Sequence, residues 1–271
     1  MSVSGRPMAG RDDRRRRERP PGAAPEAGQD VLPVLVVGDV HGDLERLFSG
    51  LERYPAERWR TIFLGDLVDG GPFGVGALRY ARDRPNSVVL LGNHEVLMLA
   101  ALRDRADRGP ALHAWLGASG QPHDLEELAR DEPLQQWLRR RPAMLLLEDG
   151  TLVQHCDSDE LGGLIDADEA DPVGAVNREV VRLLEVGETQ PLVDAMTSRG
   201  VFRRQPLRLA TWLQRTGARR IVHGHTPHRN RQPDVYAGGR AICFDGGMGR
   251  WGGPGAFRGG SITGSVGPLP E

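Results

Sequence analysis

Short apolar segments alternate with amphipathic ones along the middle of the chain. The apolar segments are bounded by glycine and polar residues, which is typical of buried strands. They predict strands at residues 31–37, 61–64, 88–91, 151–154, 220–222 and 241–244. Helical spacing of apolar residues predicts helices at 96–105, 125–140, 176–186 and 207–216. Asp43 is placed to cap a further helix that begins directly after it.

The order of these elements predicts an α/β fold. Strands alternate with helices early in the chain, while residues 143–155 predict a hairpin on the turn Asp149-Gly150. This combination favours mixed sheets over a purely parallel one. We expect one domain at residues 31–248, with a helical cap over the site at about 96–142.

Both ends of the chain differ in composition from this middle part. Residues 1–30 are rich in Pro, Gly, Ala and Arg and predict a disordered tail. Residues 249–271 are rich in glycine and predict a second tail. The arginines at 14–17 are followed by no apolar segment of a signal peptide, so we do not expect export.

Bulk composition excludes several classes of protein. The formal net charge of −2 gives no overall attraction to nucleic acid, and we expect no specific binding to it. No apolar run is long enough to span a bilayer, so no membrane association is expected. Two cysteines, Cys156 and Cys243, are too few for a disulfide framework or a cysteine-based zinc site. We therefore expect a cytoplasmic protein.

Polar groups beside glycine follow most of the predicted strands. In chain order they are GDVHG at 38–42, GDLVDGG at 65–71, GNHE at 92–95, a single His at 155 and HGHTP at 223–227. In α/β folds, sites are built at the carboxyl ends of strands. Carboxylate oxygens and imidazole nitrogens suit manganese, iron or zinc. The ligands are too many for one ion, but they fit two ions that share a carboxylate and a bridging hydroxide, a centre that displaces groups at phosphorus.

Taken together, these motifs resemble the calcineurin-like metallophosphoesterases, most closely the phosphoprotein-phosphatase branch with its bacterial serine/threonine phosphatases. The resemblance covers residues 33–248. It implies a four-layer sandwich of two mixed β-sheets flanked by helices, with a dinuclear centre at one edge. It also implies two divalent metal ions as cofactors, with manganese preferred and iron or zinc as alternatives.

The resemblance also implies a role for each matching residue. The implied metal ligands are Asp39 and His41 for one ion, Asp66 as the bridging carboxylate, and Asn93, His155 and His225 for the other. His94 corresponds to the general acid that protonates the leaving oxygen, and Asp69 to the carboxylate that orients it. Glu95 is expected to brace the turn.

Three departures from the family pattern limit the choice of substrate. Gly70 stands where the phosphatases carry a phosphate-binding Arg. Arg199 is the first candidate to replace it, with Arg203 and Arg204 as rivals. The single His precedes Cys-Asp-Ser-Asp instead of Ala-Gly. Asp157 and Asp159 in that segment could contact a cationic group, although loop capping is favoured.

The third departure follows GHT, where a second family histidine is replaced by proline. His223 and His228 lie close to this position. We expect each either to contact the metal ligands without binding metal itself or to lie at the surface. Trp115 and Trp137 are expected to pack the interior of the cap rather than to stack on a nucleotide base.

These observations predict a dinuclear-metal hydrolase of phosphate monoesters, first of all a protein serine/threonine phosphatase. A dinucleoside polyphosphate or other nucleotide hydrolase is the alternative within the same fold. An alternative of a different class is a catalytically silent module that binds metal or phosphate. The presence of His94, Asp66 and Asn93 argues against that module. The expected partner is a phosphorylated protein or a nucleotide, and the oligomeric state stays open.

Overall fold

The computed structural model describes residue 1, residues 32–249 and residues 260–270. Apart from its first residue, the predicted tail at 1–30 lies outside the described residues. Within the described part, no helix has both the length and the hydrophobicity needed to cross a membrane.

The first sheet has four strands in the order β3-β2-β1-β9. Its strands are β1 (Val34–Val37), β2 (Arg60–Phe63), β3 (Ser87–Val89) and β9 (Val266–Pro268). The first three are parallel, and β9 pairs antiparallel with β1. This sheet is therefore mixed, as the sequence predicts.

The second sheet has five strands in the order β4-β5-β6-β8-β7. Its strands are β4 (Met144–Leu146), β5 (Thr151–Gln154), β6 (Arg220–His223), β7 (Asp234–Tyr236) and β8 (Ala241–Cys243). The three inner strands are parallel, while β4 and β7 run antiparallel at the two edges. Strands β4 and β5 form the predicted hairpin.

Helices cover the outer faces of both sheets. They are α1 (Leu44–Leu51), α2 (Gly74–Asp83), α3 (Asn93–Asp104), α4 (Pro110–Gly117), α5 (Pro122–Ala129), α6 (Glu132–Arg139), α7 (Pro172–Val186), α8 (Gln190–Met196), α9 (Val201–Arg204), α10 (Pro206–Thr216) and α11 (Ile262–Ser265). The Asp43 side chain accepts a hydrogen bond from the backbone N–H of Arg46 at 3.1 Å, so it caps α1 as predicted.

The prediction of one helix at 125–140 is wrong, because two helices, α5 and α6, occupy this segment. Pro133 has no N–H to donate and is accepted only in the first turn of a helix. Asp131 caps the new helix by accepting from Leu134 N at 3.0 Å. Helices α3 to α6 lie in the segment where the sequence predicts the cap, and its covering of the site stays a prediction.

Alternation of side chains along the strands builds the layers. One face of each sheet contributes to an apolar cluster between the sheets: Val36, Ile62, Leu64, Leu90, Val153, Val222, Ile242 and Phe244. Neighbouring positions such as Leu35 and Leu152 point the other way, into the larger cluster that contains the helices. Two sheets with helices outside them give the four layers that were predicted.

The prediction of a tail at 249–271 is wrong for residues 260–270. This segment forms α11 and β9, and Val266 is buried opposite Val37. Without it, β1 would leave the hydrogen-bonding groups of a central strand unpaired at a sheet edge. Ser265 O also accepts a hydrogen bond from Gly38 N at 2.8 Å, next to the first predicted ligand.

Candidate metal centre

The loops after β1, β2, β3, β5 and β6 meet at one edge of the two sheets. Four polar residues in these loops have left-handed backbone conformations: His41, Asp66, Asp69 and His225, with φ between 49° and 68°. Such a conformation costs a non-glycine residue about 1–3 kcal/mol and is concentrated at functional sites. The turns therefore fix the direction of these side chains at an energetic cost.

Oδ2 of Asp66 lies at the centre of the site. It is 3.2 Å from Nε2 of His155, 3.9 Å from Nε2 of His94, and 4.0 Å from both Nε2 of His41 and Nδ1 of His225. The side chain is buried. One carboxylate oxygen thus faces four imidazole nitrogens, which is the arrangement expected of a shared ligand.

In both Asp39 and Asp66, one carboxylate oxygen accepts a backbone hydrogen bond and the other does not. Oδ1 of Asp66 accepts from His94 N at 3.0 Å, and Oδ1 of Asp39 accepts from His225 N at 2.9 Å. Oδ2 of each aspartate and Nδ1 of His225 are buried and make no hydrogen bond within the described residues. Leaving such atoms unsatisfied is costly, and divalent cations would compensate them. The donor set therefore fits the metal ions that the sequence implies.

Backbone carbonyls orient the three imidazoles assigned as ligands. Each ring donates one N–H to a carbonyl oxygen: His41 Nδ1 to Val68 at 3.2 Å, His155 Nδ1 to Leu64 at 2.9 Å, and His225 Nε2 to Thr197 at 3.1 Å. The other nitrogen of each ring is left to face the centre. Such outer hydrogen bonds fix the tautomer and orientation of metal-binding histidines.

Asn93 and two glycines complete the packing around the centre. Asn93 Oδ1 lies 3.0 Å from His155 Nε2. A Cβ atom at Gly92 would come within 2.2 Å of Asp66 Oδ1, and one at Gly224 within 2.3 Å of Asp39 Oδ1. Only glycine fits at these two places, which explains its position beside the polar motifs.

Glu95 braces the turn, as the sequence predicts. Its buried carboxylate accepts hydrogen bonds from Asp66 N at 2.8 Å, Leu67 N at 2.7 Å, Val68 N at 3.3 Å and Gly92 N at 2.8 Å. It therefore ties the loop after β2 to the start of α3. The position of Asp66 depends on this carboxylate.

The concentration of charge shifts the pKa values of the central groups. Burial, with repulsion from Asp245 and Asp66, raises the pKa of Asp39 well above its ordinary value. Burial also acts to raise the pKa of Asp66, but the neighbouring imidazoles, His155 foremost, outweigh it and hold the pKa well below its usual range. Burial lowers the pKa of His225 to about 4, so its ring stays neutral, which is the form that binds metal.

His94 and Asp69 form a hydrogen-bonded pair beside the centre. His94 Nδ1 donates to Asp69 Oδ2 at 2.8 Å, and Nε2 faces Asp66. Burial lowers the pKa of His94, but Asp66 and Asp69 outweigh it and raise the pKa to about 9. Burial raises the pKa of Asp69 to about 6. The imidazole can therefore hold a proton at neutral pH.

Trp115 is a site residue that the sequence analysis placed only in the cap. Its ring is fully buried, and Nε1 donates to Asp69 Oδ1 at 2.8 Å. A single tryptophan 46 residues after Asp69 carries no local pattern that would connect the two.

A small pocket opens beside the pair. It is lined by His41, Gly70, His94, Ala118, Ser119, Arg199 and Gly249. Arg199 is one of these lining residues, and its Nε donates to His225 O at 2.9 Å. The structure does not bring Arg203 there: its guanidinium stacks over Tyr236 at 4.1 Å and pairs with Asp234.

The acidic segment after His155 stabilises loops. Buried Asp157 accepts from Gly200 N at 2.9 Å and from Thr226 Oγ1 at 2.8 Å, while Asp159 pairs with Arg208. These contacts agree with the capping interpretation.

The two additional histidines lie outside the converging set. His223 bonds to Gly224 O and to the Tyr236 hydroxyl, both at 2.9 Å, and His228 bonds to Cys243 O at 3.1 Å. Both rings therefore use their nitrogens in contacts away from the centre.

Curated relatives share part of this chain. The symmetrical bis(5'-nucleosyl)-tetraphosphatase of Methylobacillus flagellatus is 32% identical over 158 residues, 56% of this chain and 51% of the relative. The enzyme of the same name from Cronobacter sakazakii is 34% identical over 127 residues, 45% of this chain and 41% of the relative. The chain thus spans about half the length of the curated relatives it matches.

Solved structures share its architecture. A cold-active protein-tyrosine phosphatase from a psychrophilic Shewanella species has a TM-score of 0.59 and 18% identity, covering 89% of this chain and 81% of the other. A protein serine/threonine phosphatase from Saccharomyces cerevisiae has a TM-score of 0.50 and 14% identity, covering 88% and 79%. At these identities the likeness shows the fold alone, and it confirms the predicted sandwich.

The sequence profile of the calcineurin-like phosphoesterases matches residues 32–229, which include all eight of the converging metal-site and acid-pair residues. The match covers most of the chain and agrees with the fold and with the residues at the strand ends. This chain belongs to the calcineurin-like phosphoesterase family.

Proposed function

We propose that this chain is a metal-dependent hydrolase that cleaves dinucleoside polyphosphates. The observation that carries the hydrolase assignment is the buried Oδ2 of Asp66, which makes no hydrogen bond and faces four imidazole nitrogens. When bound, two divalent ions stabilise charge on phosphoryl oxygens and activate water for attack on phosphorus.

The ligand set divides around Asp66. Asp39 and His41 would hold one ion, and the second would be held by Asn93, His155 and His225, with Asp66 shared between them. Manganese is the proposed metal, and the same nitrogen and oxygen ligands also accept iron or zinc. The Cys156 thiol lies in the same region, but it donates to Met196 O at 2.8 Å and is not proposed as a ligand.

His94 is proposed as the proton donor. Its Nδ1 is engaged by Asp69, so the proton on Nε2 faces the centre, where the leaving oxygen would lie. Arg199 lines the pocket and would bind the oxygens of a phosphate in place of the arginine missing at Gly70. Protonation of the leaving oxygen by His94 would raise the rate roughly 10²–10⁴-fold.

Symmetrical cleavage of a dinucleoside tetraphosphate follows the same chemistry. The oxygen of water forms a bond to one of the two inner phosphorus atoms, and the bond from that phosphorus to the central bridging oxygen breaks. The bridging oxygen leaves with the other half of the molecule and takes the proton from His94. Two nucleoside diphosphates are the products.

The relatives support a nucleotide substrate over a phosphoprotein. Both are named as symmetrical bis(5'-nucleosyl)-tetraphosphatases, at 32% and 34% identity. The solved phosphatases are less similar in sequence, at 14–18% identity. The main sequence expectation, a protein serine/threonine phosphatase, is therefore the less supported of the two. A nucleotide substrate also suits the predicted cytoplasmic location.

A comparison of three substrates tests the proposal. The purified chain, supplied with Mn²⁺, is given diadenosine tetraphosphate, a phosphoserine peptide and an aryl phosphate at equal concentration. We expect fastest turnover of the tetraphosphate with ADP as the only nucleotide product. Faster hydrolysis of the peptide would overturn the substrate assignment. Failure on all three by protein with measured bound metal would favour the silent module.

A further inference from the structure

The cap contributes a hydrogen bond to the acid pair. Trp115 Nε1 donates to Oδ1 of Asp69 at 2.8 Å, while Oδ2 of the same carboxylate accepts from His94 Nδ1 at 2.8 Å. The Asp69 side chain has no exposed surface. A buried carboxylate with one directed donor on each oxygen is fixed in its plane, and the imidazole bonded to it is fixed as well.

The corner between α4 and α5 is tied to the same loop at two further points. Gly70 N, next to Asp69, donates to Ser119 O at 3.0 Å. The buried carboxylate of Asp124 accepts from Gly74 N at 3.1 Å and Val75 N at 3.0 Å. This corner is therefore attached along the loop that begins at Asp69 and leads into α2.

The surroundings of Trp115 argue against contact with substrate. Its ring packs against Gly120, where an added Cβ would lie 2.3 Å from the indole. The ring is fully buried and is absent from the pocket lining. Its half-buried neighbours in the corner, Ala118 and Ser119, line the pocket instead. The indole therefore acts on Asp69 and not on a nucleotide base.

We infer that Trp115 is a positioning residue: its N–H holds Asp69 so that His94 points its proton at the leaving oxygen. This inference rests on the proposed hydrolase function. The cap would then contribute to general acid catalysis, because α4 carries the N–H donor that fixes the Asp69 carboxylate. A leaving group of high basicity needs protonation, whereas a weakly basic one departs with little help. The effect of losing the indole N–H must therefore depend on the leaving group.

Trp115→Phe tests the inference, because it keeps an aromatic ring and removes the donor. The matched control is Trp137→Phe, a partly buried cap tryptophan that stacks with Arg141 at 4.5 Å. Both variants and the parent chain, loaded with Mn²⁺, are assayed on phenyl phosphate and 4-nitrophenyl phosphate. A lost hydrogen bond to a charged group corresponds to about 10–100-fold. We expect a fall in kcat of this size on phenyl phosphate, a fall below about threefold on 4-nitrophenyl phosphate, and unchanged KM.

In Trp137→Phe, the ratio of kcat on phenyl phosphate to kcat on 4-nitrophenyl phosphate should equal that of the parent chain. An equal loss on both esters in Trp115→Phe would show a purely structural role and overturn the inference. A second measurement needs no turnover: the proton NMR resonance of the His94 Nδ1–H should shift in Trp115→Phe and stay in Trp137→Phe. If the metal-loaded parent chain hydrolysed neither ester and left diadenosine tetraphosphate intact as well, the hydrolase proposal would fail, and this resonance alone would decide the role of Trp115. An unchanged resonance overturns it.

Discussion

The first sheet places six polar residues at the site, whereas the second sheet places two. The loops after β1 and β2 carry Asp39, His41, Asp66 and Asp69, and the start of α3, which follows β3, carries Asn93 and His94. The loops after β5 and β6 carry one imidazole each, His155 and His225, with Arg199 between them in the chain. All the carboxylates of the converging set therefore come from one sheet, and the second sheet adds neutral or cationic groups.

We call the site residues that follow strands of the first sheet the first side, and those that follow strands of the second sheet the second side. Different contacts hold the two sides in place. On the first side, Glu95 connects two neighbouring loops through backbone N–H groups. On the second side, His155 is oriented by Leu64 O, which belongs to the first sheet, and Asp157 connects loops that are distant in sequence. The loop after β2 and the start of α3 can thus be ordered by contacts within the first side, while the second side is ordered only when both sheets have packed.

The largest effect is expected at the shared carboxylate. Asp66→Asn removes the charge that both sides face, so bound metal and turnover should fall together. Loss of metal assistance, worth several kcal/mol, corresponds to a drop of about 10³-fold or more in kcat. Elemental analysis and kcat with added Mn²⁺ measure it. Asp83→Asn, at an exposed carboxylate, is the control. Full metal content in Asp66→Asn would contradict the central place of this residue.

His94→Asn sharpens the distinction between ligand and acid on the first side. We expect kcat to fall about 10²–10⁴-fold because the proton donor is lost. Metal content should remain close to that of the parent, since the ligand atoms are untouched. Parallel loss of metal in this variant and in Asp66→Asn would show that the division of roles is wrong.

Glu95→Gln tests the local bracing of the first side. An amide group would turn N–H donors toward backbone N–H groups that now bond to a carboxylate. Loss of hydrogen bonds to a charged group should lower the free energy of unfolding by about 1.5–3 kcal/mol. Thermal melting should then fall by roughly 3–12 °C, at 2–4 °C per kcal/mol. Glu126→Gln, on an exposed glutamate, should melt like the parent. Equal melting temperatures of Glu95→Gln and Glu126→Gln would show that Glu95 does not brace the first side.

Asp157→Asn should have the smallest effect, confined to the second side. The neutral amide weakens the charge-assisted bonds to Gly200 and Thr226, by about 1 kcal/mol. Because Gly200 follows Arg199, we expect KM to rise about fivefold while kcat changes little. The control is Asp159→Asn, two residues further on, whose partner is Arg208. A lower kcat with unchanged KM would place Asp157 in the chemistry instead of in substrate binding.

Much of the candidate site could be predicted because its residues stand beside strand ends in short motifs. Asp39, Asp66 and Asn93 each follow an apolar run and a glycine, and the structure brings them together at one edge. Their chemical roles stay predictions. His155 and His225 also follow predicted strands, although His155 stands outside any motif and His225 lies 70 positions further along the chain.

Trp115 and the C-terminal strand could not be predicted in this way. The bond from Trp115 to Asp69 depends on how α4 folds over the first sheet, which no local pattern records. Strand β9 has the sequence Val-Gly-Pro, with low strand propensity, and exists because β1 offers an unpaired edge. The break at Pro133, by contrast, follows from the sequence itself, because proline is accepted only in the first turn of a helix.

Strand β9 has a consequence for the order of assembly. It pairs with β1 across about 230 residues of intervening sequence, the most non-local contact between strands in the described residues. Contacts of such high contact order close late, after most chain entropy has been lost. The family match ends at residue 229, so the strand that pairs with the edge of β1 lies outside the matched region. Gly38 N donates a hydrogen bond to Ser265 O. The loop that carries Asp39 is therefore completed only when the C-terminal segment has paired with β1.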